Sequence, residues 1–258
     1  MRIATWNVNS VRARLPRLLP WLAKERPDVL LLQETKVQDE AFPREPLEDE
    51  GYNIETFGQK TYNGVAVLSK HRIEDVVRGF PDDTEGAERR AVGCVVNGFM
   101  LLNLYVPNGQ EVGSAKFAYK LDWLRRLRSL LAKRYDTKER VVLAGDFNIT
   151  FDDRDVWDPE GLRETIHCST QEREALAKLC DTGLSDALRK FHEEAGIYTW
   201  WDHRGGAFPR GHGLRIDHFL VSEAALACCE GVVVDVEERK GQGVSDHAPV
   251  IATFHEPS

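Results

Sequence analysis

Residues 29–36 read Val29-Leu30-Leu31-Leu32-Gln33-Glu34-Thr35-Lys36. Four apolar residues in succession spell a strand covered on both faces. The run then stops in an amide, an acid and a base. Outward from it the same pattern recurs. Arg2 to Val8 alternates as a strand and closes in Trp6-Asn7-Val8-Asn9-Ser10. Val141-Val142-Leu143-Ala144 leads into Gly145-Asp146-Phe147-Asn148. Leu214 to Ser222 carries Arg215-Ile216-Asp217-His218, and Ser245-Asp246-His247-Ala248 precedes the last strand, Pro249 to Phe254. Gly64 to Ser69, Ala91 to Val96, Met100 to Val106 and Val232 to Val236 complete the expected strands.

Helical spacing appears between them. Val11, Leu15, Leu18, Leu19 and Leu22 mark a helix in which Pro16 suits a first turn and Pro20 sits deep, so a late start or a kink is expected. Phe117, Leu121, Leu124, Leu127, Leu130 and Leu131 mark a long helix burying one stripe. Ser169-x-x-Glu172 is a capping box opening a helix through Leu179. Strands throughout, with helices between them, give an α/β or α+β class; two sheets packed face to face with helices outside would bury the continuous apolar runs.

Length fits one domain, taken as residues 1–258. The 34 basic and 42 acidic side chains give a net charge of −8, which excludes a polybasic nucleic-acid binder. A nuclease remains open, because a local basic rim can coexist with an acidic metal site. Cys94, Cys168, Cys180, Cys228 and Cys229 are odd in number and form no Cys-x-x-Cys, so neither a disulfide framework nor a zinc site is expected, and a reducing cytoplasm fits. The opening residues do not read as a signal peptide, and no apolar run approaches the ~18 residues of a membrane span.

Polar residues at strand ends can converge at one sheet edge without burial in its middle. Each cluster alone reads as a turn or a cap. Five together, rich in Asn, Asp, Glu and His, point to a site. Glu34 is the leading ligand candidate for a hard divalent cation, Mg²⁺ or Mn²⁺, with Asn7 beside it and Asp246 for a second or alternative ion. Asp217 and His247 suggest an acid–imidazole pair. Asn148 can donate to a developing oxyanion, and Tyr105 can donate to phosphate or, with a lowered pKa, assist a leaving group. Lys36, Arg89, Arg90, Lys116, Arg204, Arg210 and Arg215 are candidate phosphate contacts, and Trp200-Trp201 before the Gly/Arg-rich loop offers stacking faces.

The chain resembles the exonuclease III and apurinic/apyrimidinic endonuclease family from Trp6 to Phe254. The resemblance rests on Trp6-Asn7-Val8-Asn9, Gln33-Glu34-Thr35-Lys36, Tyr105-Val106-Pro107-Asn108-Gly109, Gly145-Asp146-Phe147-Asn148, Leu214-Arg215-Ile216-Asp217 and Ser245-Asp246-His247 in that order. Gly-Asp-Phe-Asn and Ser-Asp-His mark only the wider superfamily of nucleases, sphingomyelinases and inositol-polyphosphate phosphatases; the first two motifs narrow it to the DNA-repair branch. The resemblance implies a four-layer α/β sandwich with the site at one edge of two packed sheets. It implies a metal-dependent DNA hydrolase acting on abasic sites, nicks and blocked 3′ ends of duplex DNA, working as a monomer.

Within that resemblance Asp217 orients His247 and His247 meets the scissile phosphate. Asp146 is the favoured general base, the alternative giving that task to His247 and a metal to Asp146. Asn7, Glu34, Asp146, Asn148, Asp246 and His247 form the candidate ligand set, and Asn9 and Asn108 fall in motifs expected at DNA. Trp200, Leu214 and Ile216 would line a pocket for a flipped-out abasic sugar. His167, in the loop after Asn148, would partly fill that space, so that 3′-end trimming is favoured over abasic incision. The alternatives are a relative that kept the fold and lost catalysis, and a phosphatase or lipid phosphodiesterase on the same fold.

Overall fold

The computed structural model describes residues 1–136 and 138–255. Twelve strands form two six-stranded sheets. They are β1 (Arg2–Asn7), β2 (Val29–Gln33), β3 (Asn53–Phe57), β4 (Val65–Ser69), β5 (Glu74–Arg78), β6 (Ala91–Val96), β7 (Phe99–Tyr105), β8 (Val141–Asp146), β9 (Leu184–Asp186), β10 (Asp217–Ser222), β11 (Cys229–Val234) and β12 (Val250–Phe254). The helices are α1 (Val11–Glu25), α2 (Glu45–Glu48), α3 (Ala115–Arg134), α4 (Thr170–Cys180), α5 (Ala207–Arg210) and α6 (Glu223–Ala227). One sheet runs β11-β12-β1-β2-β4-β3 and the other β5-β6-β7-β8-β10-β9.

The continuous apolar runs are explained by their two destinations. Along β1 and β2, Ile3, Val29 and Leu31 face the second sheet, where they meet Val92, Leu101, Val142, Ala144 and Phe219. Their neighbours Ala4, Trp6, Leu30 and Leu32 face outward onto Leu18, Trp21 and Leu22 of α1. On the far side Leu102, Leu104, Val141, Leu143 and Leu220 pack against Trp123, Leu124 and Leu127 of α3 and Leu176 and Leu179 of α4. The order is therefore helix, sheet, sheet, helix, the expected four-layer sandwich.

Helix α1 does not start late. It starts at Val11, with Ser10 accepting from Ala13 N, and runs through both Pro16 and Pro20. An interior proline costs about 3 kcal/mol. Burial of Val11, Leu18, Trp21 and Leu22 at ~1.5–3 kcal/mol per large apolar side chain offsets two of them. The strand expected from Leu214 begins only at Asp217; Leu214 instead bridges to Val156 and Trp200. Strands β3, β5 and β9 were not expected. All three lie at sheet edges, and their exposed, charged positions hide the apolar signal.

Strand polarity gathers the site. β1 and β2 are parallel and end together, Asn7 opposite Gln33. β7 and β8 are parallel and end with Tyr105 opposite Asp146, and antiparallel β10 begins with Asp217 against that same Asp146. Gln33 Nε2 and Asn103 Oδ1, 2.7 Å apart, join the sheets through the buried middle, and Asn103 Nδ2 donates to Leu32 O and Ala66 O. These paired polar groups fix how the two sets of strand ends face each other.

Candidate active site

The floor of the site is built from three strand ends. Asp146 and Asp217 are fully buried, and His247, just before β12, is 3 % exposed. Asp217 accepts from His247 Nδ1 at 2.9 Å, while His247 Nε2 lies 3.7 Å from Asp146 Oδ2. Ile216 N and Asp217 N both donate to Thr199 Oγ1 at 3.1 Å, which holds the start of β10. Trp6 Nε1 donates to His247 O and Ser245 Oγ donates to Asn7 O, tying the His247 segment to β1. Gly145 matters for close approach: at φ +149° a Cβ there would lie 1.9 Å from Leu104 O.

Asn7 joins this floor to the rim. Its Nδ2 donates to Asp146 Oδ2 and to Glu34 Oε1, both at 2.9 Å. Lys36 Nζ sits 2.8 Å from the other Glu34 oxygen and also reaches Asn9 Oδ1. Asn9 Nδ2 donates to Asp246 Oδ1, and Trp200 Nε1 donates to Asp246 Oδ2. Glu34, Lys36 and Asn148 all take left-handed backbone at φ 50°, 54° and 53°. Left-handed non-glycine residues cost free energy and persist where surroundings hold them, as at functional sites.

The electrostatics separate the roles. Burial opposes a charge on His247, but Asp217 and Asp146 outweigh it and raise its pKa to about 10. Burial raises Asp146 to about 7, with Asp217 adding to the rise and His247 opposing it. Burial works against the Asp246 carboxylate, yet His247, Asn9 and Trp200 hold it at about 2. For Glu34, burial is outweighed by Lys36 and Asn7, so its pKa falls. Burial and the Glu34 carboxylate push Tyr105 well above an ordinary phenol. Tyr105 is thus a neutral O–H donor, and the lowered phenol pKa allowed by the sequence is not found.

Other expectations need correction. Asn148 Nδ2 donates to Val106 O at 3.0 Å and Asp146 Oδ2 at 3.2 Å, and Asn148 Oδ1 accepts from Asn108 Nδ2. Its amide is engaged in orienting Asp146 and is not free for an oxyanion. Arg215 is no phosphate contact: it is fully buried and pairs with Asp155 and Asp186 at 2.7 Å. Arg90 is also buried; it pairs with Glu88 and lays its guanidinium 4.6 Å from the Tyr105 ring centre. Its charge backs the tyrosine. Arg89 pairs with Asp39 and Arg204 with Asp202, both partly open to solvent. Lys116 is exposed and lines a groove of about 500 Å³ with Tyr62, Arg90, Tyr105 and Asn108.

The two tryptophans divide. Trp201 is buried against Ala207 and Ala248. Trp200 packs with Leu214, Ile216, Val156 and Cys168 in an apolar cluster, and its indole N–H reaches Asp246. His167 stands beside it, its ring centre 6.1 Å from that of Trp200. Its Nδ1 lies 2.6 Å from Asn148 O. A carbonyl only accepts, so Nδ1 carries the proton. Burial and Lys120 lower the His167 pKa to about 4, and the ring is neutral.

The sequence and the fold that hold these buried acids and the imidazole match known proteins. The Endonuclease/Exonuclease/phosphatase family pattern matches residues 4–247. Exodeoxyribonuclease III of Haemophilus influenzae is 36 % identical, covering 98 % of this chain and all of that protein. The chain belongs to this family, on its exodeoxyribonuclease III branch. Among solved structures, the Neisseria 3′ phosphatase NExo bound to product DNA hairpin is 44 % identical with a TM-score of 0.96, covering 99 % of this chain and 100 % of that one. An AP endonuclease from Archaeoglobus fulgidus is 38 % identical with a TM-score of 0.94, covering 98 % and 99 %. Membership places the chain among DNA-repair hydrolases and sets the reaction class, metal-assisted hydrolysis of phosphate esters. No helix among the described residues is long and apolar enough to cross a membrane.

The donor set fits a metal. Asp146, Asp217 and His247 bring ligand atoms within 4.8 Å of one another. His247 Nδ1 is already committed to Asp217, which favours proton handling there. Glu34 offers a hard oxygen donor at the more open rim, with 18 % side-chain exposure, and the Asn7 amide oxygen, buried behind it, already accepts from Asn9 N. Four carboxylates, Glu34, Asp146, Asp217 and Asp246, gather around His247 and Lys36, with His203 3.9 Å from Asp246, a concentration of negative charge that a divalent ion relieves.

Proposed function

We propose that this protein is a Mg²⁺- or Mn²⁺-dependent hydrolase that trims and cleans 3′ ends of duplex DNA, incises 5′ to abasic sites, and favours the first task. The observation that supports this best is the linked set Asp217, His247 and Asp146, with Asn7 joining Asp146 to Glu34. A silent binding relative has no need of two buried acids around a charged imidazole, an arrangement costly to keep.

Glu34 and Asn7 would hold the ion, with Asp246 available to a second, and Asp146, Asn148 and His247 adjoining. A divalent ion there supplies charge neutralisation at the phosphate. The protonated His247 donates Nε2–H to a phosphate oxygen, and Tyr105 donates its O–H. Asp146, oriented by Asn7 and Asn148, takes the proton of the attacking water as its oxygen bonds to phosphorus and the bond to the leaving oxygen breaks. With its high pKa, His247 is the acid partner, and the base role falls to Asp146. Trp200, Leu214 and Ile216 receive the lesion or the 3′ terminus, and His167 narrows the space for an extruded sugar. Asn9, Lys36, Arg89, Asn108, Lys116 and Arg204 meet the flanking strands. The enzyme works as a monomer in the cytoplasm, in keeping with its free cysteines.

The test uses three duplexes, one abasic, one nicked and one ending in a 3′ phosphate, each with Mg²⁺, with Mn²⁺ and with a chelator. Inositol phosphates serve as the control substrate. Metal-dependent processing of DNA ends, faster than abasic incision, is expected. Full activity in chelator, or phosphate release from inositol phosphates alone, would overturn the reading.

A further inference from the structure

Lys120 is fully buried on α3, and its partner Glu172, in the first turn of α4, is equally buried. Lys120 Nζ donates to Asn148 O at 2.7 Å, to Asn108 O at 3.0 Å and to Glu172 Oε1. The same Glu172 oxygen accepts from His167 N, and its other oxygen accepts from Ser169 N and Ser169 Oγ. His167 Nδ1 then closes the circuit by donating to Asn148 O. One ammonium and one carboxylate therefore join three backbone segments, those of Asn108, Asn148 and His167. Each borders the site.

Two of these segments need holding. Asn148 and His167 are both left-handed, at φ 53° and 72°, a conformation that costs a non-glycine residue free energy unless its surroundings enforce it. The third is fitted to the lysine stem: a Cβ on Gly109 would come within 3.0 Å of both Lys120 Cδ and Ile166 Cδ1. A buried ion pair is seldom retained for stability alone, since a well-packed apolar pair of similar volume often does as well. Here the charges satisfy backbone carbonyls and an amide that an apolar pair would leave unmet.

We infer that Lys120, through Glu172, is the positioning residue that sets Asn148 against Asp146 and His167 against the lesion pocket, so that it governs both rate and substrate preference. This rests on the roles proposed above for Asn148 and His167. Among the described residues, Lys120 makes no hydrogen bond to a side chain of the proposed ligand set.

The experiment measures kcat and KM on a 3′-phosphate duplex and on an abasic duplex, alongside thermal unfolding, for Lys120→Met, Lys120→Met with Glu172→Gln, and Lys120→Arg. Misplacement of catalytic groups by about 1 Å can cost roughly 10²-fold in rate. Lys120→Met is expected to lower kcat by that order with KM little changed, and to raise abasic incision relative to 3′ processing. Adding Glu172→Gln removes the unpaired charge; unfolding temperature should recover while kcat does not. Lys120→Arg keeps the charge, but its planar guanidinium cannot converge three donors from one atom, and it should show the same change in substrate ratio, with thermal unfolding checking that it folds. Combined with His167→Gly, Lys120→Met should add nothing further to that ratio. Recovery of kcat together with stability in the double variant would overturn the inference and make Lys120 merely structural. So would wild-type rate and ratio in Lys120→Arg, the arm that decides if Lys120→Met does not fold. A wild-type enzyme inert on both duplexes would instead remove the proposed function itself.

Discussion

Trp200 Nε1 donates to Asp246 Oδ2 at 3.0 Å. The apolar cluster around Trp200 and the acid of the polar rim are thus one unit, and the other Asp246 oxygen holds Asn9. Replacing Trp200 by Phe keeps an aromatic wall and removes the hydrogen bond; replacing it by Ala removes both. Trp200→Ala is expected to reduce abasic and 3′-end processing more than it reduces binding to undamaged duplex. Trp200→Phe should fall between it and wild type, losing about 1.5–3 kcal/mol for the missing bond to a charged carboxylate. Equal losses of processing and of nonspecific binding in Trp200→Ala would mark the residue as core.

The acid–imidazole set predicts a bell-shaped dependence of rate on pH. Asp146 must be ionised to take a proton, so rate should rise through its folded pKa of about 7. His247 must be protonated, so rate should fall as pH passes about 10. Asp217 is the largest influence raising His247, and Asp217→Asn should move the alkaline limb down toward the ordinary histidine range near 6.5. More divalent ion should move the acid limb down, because a nearby cation favours the ionised carboxylate. Asp146→Asn and His247→Asn should each cost ~10²–10⁴-fold in kcat with folding intact, and their double variant less than the product of the two. An alkaline limb unmoved by Asp217→Asn would show that His247 does not set it.

Metal demand should follow Glu34. Glu34→Ala removes the proposed hard ligand and frees Lys36, whose ammonium lies 2.8 Å from the lost carboxylate. Titrating Mg²⁺ against rate should show a rightward shift, with partial recovery at high metal. Activity of wild type should vanish in chelator and return on metal addition. An unchanged titration in Glu34→Ala would place the ion elsewhere in the acid set.

Salt dependence separates the surface cations from the buried ones. Lys36, Arg89, Lys116, Arg204 and Arg210 keep some exposure, whereas Arg90 and Arg215 do not. Each neutralised phosphate contributes about 0.9 to the log–log slope on duplex DNA, so a magnitude no greater than about 4.5 is expected. Lys116→Ala should reduce it by about 0.9. Arg215→Ala should leave it unchanged and destabilise the fold by about 3–5 kcal/mol, since Asp155 and Asp186 would lose their buried partner.

How much of this was legible in the sequence follows from where the signal lay. Strands whose residues alternate between two packed faces, such as Val29 to Gln33, announce themselves as apolar runs, and their polar terminators marked Glu34, Asp146, Asp217 and His247. Charge alone does not tell a surface arginine from a buried one. Arg215 needed Asp155, 60 residues away, to be placed. Lys120 carried a signal that was readable: it lies three residues after Phe117 and four before Leu124, on the stripe that packs inward, while Leu121, counted into that stripe, lines an open groove. The inter-sheet link of Gln33 to Asn103 had no local mark, because both residues sit in apolar surroundings at positions any strand could carry.

His167 supplies the last prediction. The ring is neutral, with its Nδ1 proton bound to Asn148 O, so it cannot attract phosphate by charge. What remains is its bulk beside Trp200, next to the apolar cluster of Leu214, Ile216 and Cys168 proposed to receive the lesion. An extruded abasic sugar, tethered to the duplex on both sides, needs that space; a 3′ terminus is tethered on one side and can enter at a different angle. His167→Gly suits the backbone, because glycine adopts φ 72° without the penalty a Cβ brings, and the variant should fold at least as well locally. Glu172 would still receive the residue-167 N–H, so the Lys120 contacts with Asn148 and Asn108 survive. Measured on matched duplexes, abasic incision should rise relative to 3′ trimming, chiefly through kcat/KM for the abasic substrate. An unmoved ratio, or a wild-type enzyme that already incises abasic DNA as fast as it trims 3′ ends, would remove His167 from the selection of substrate and leave the nuclease assignment standing.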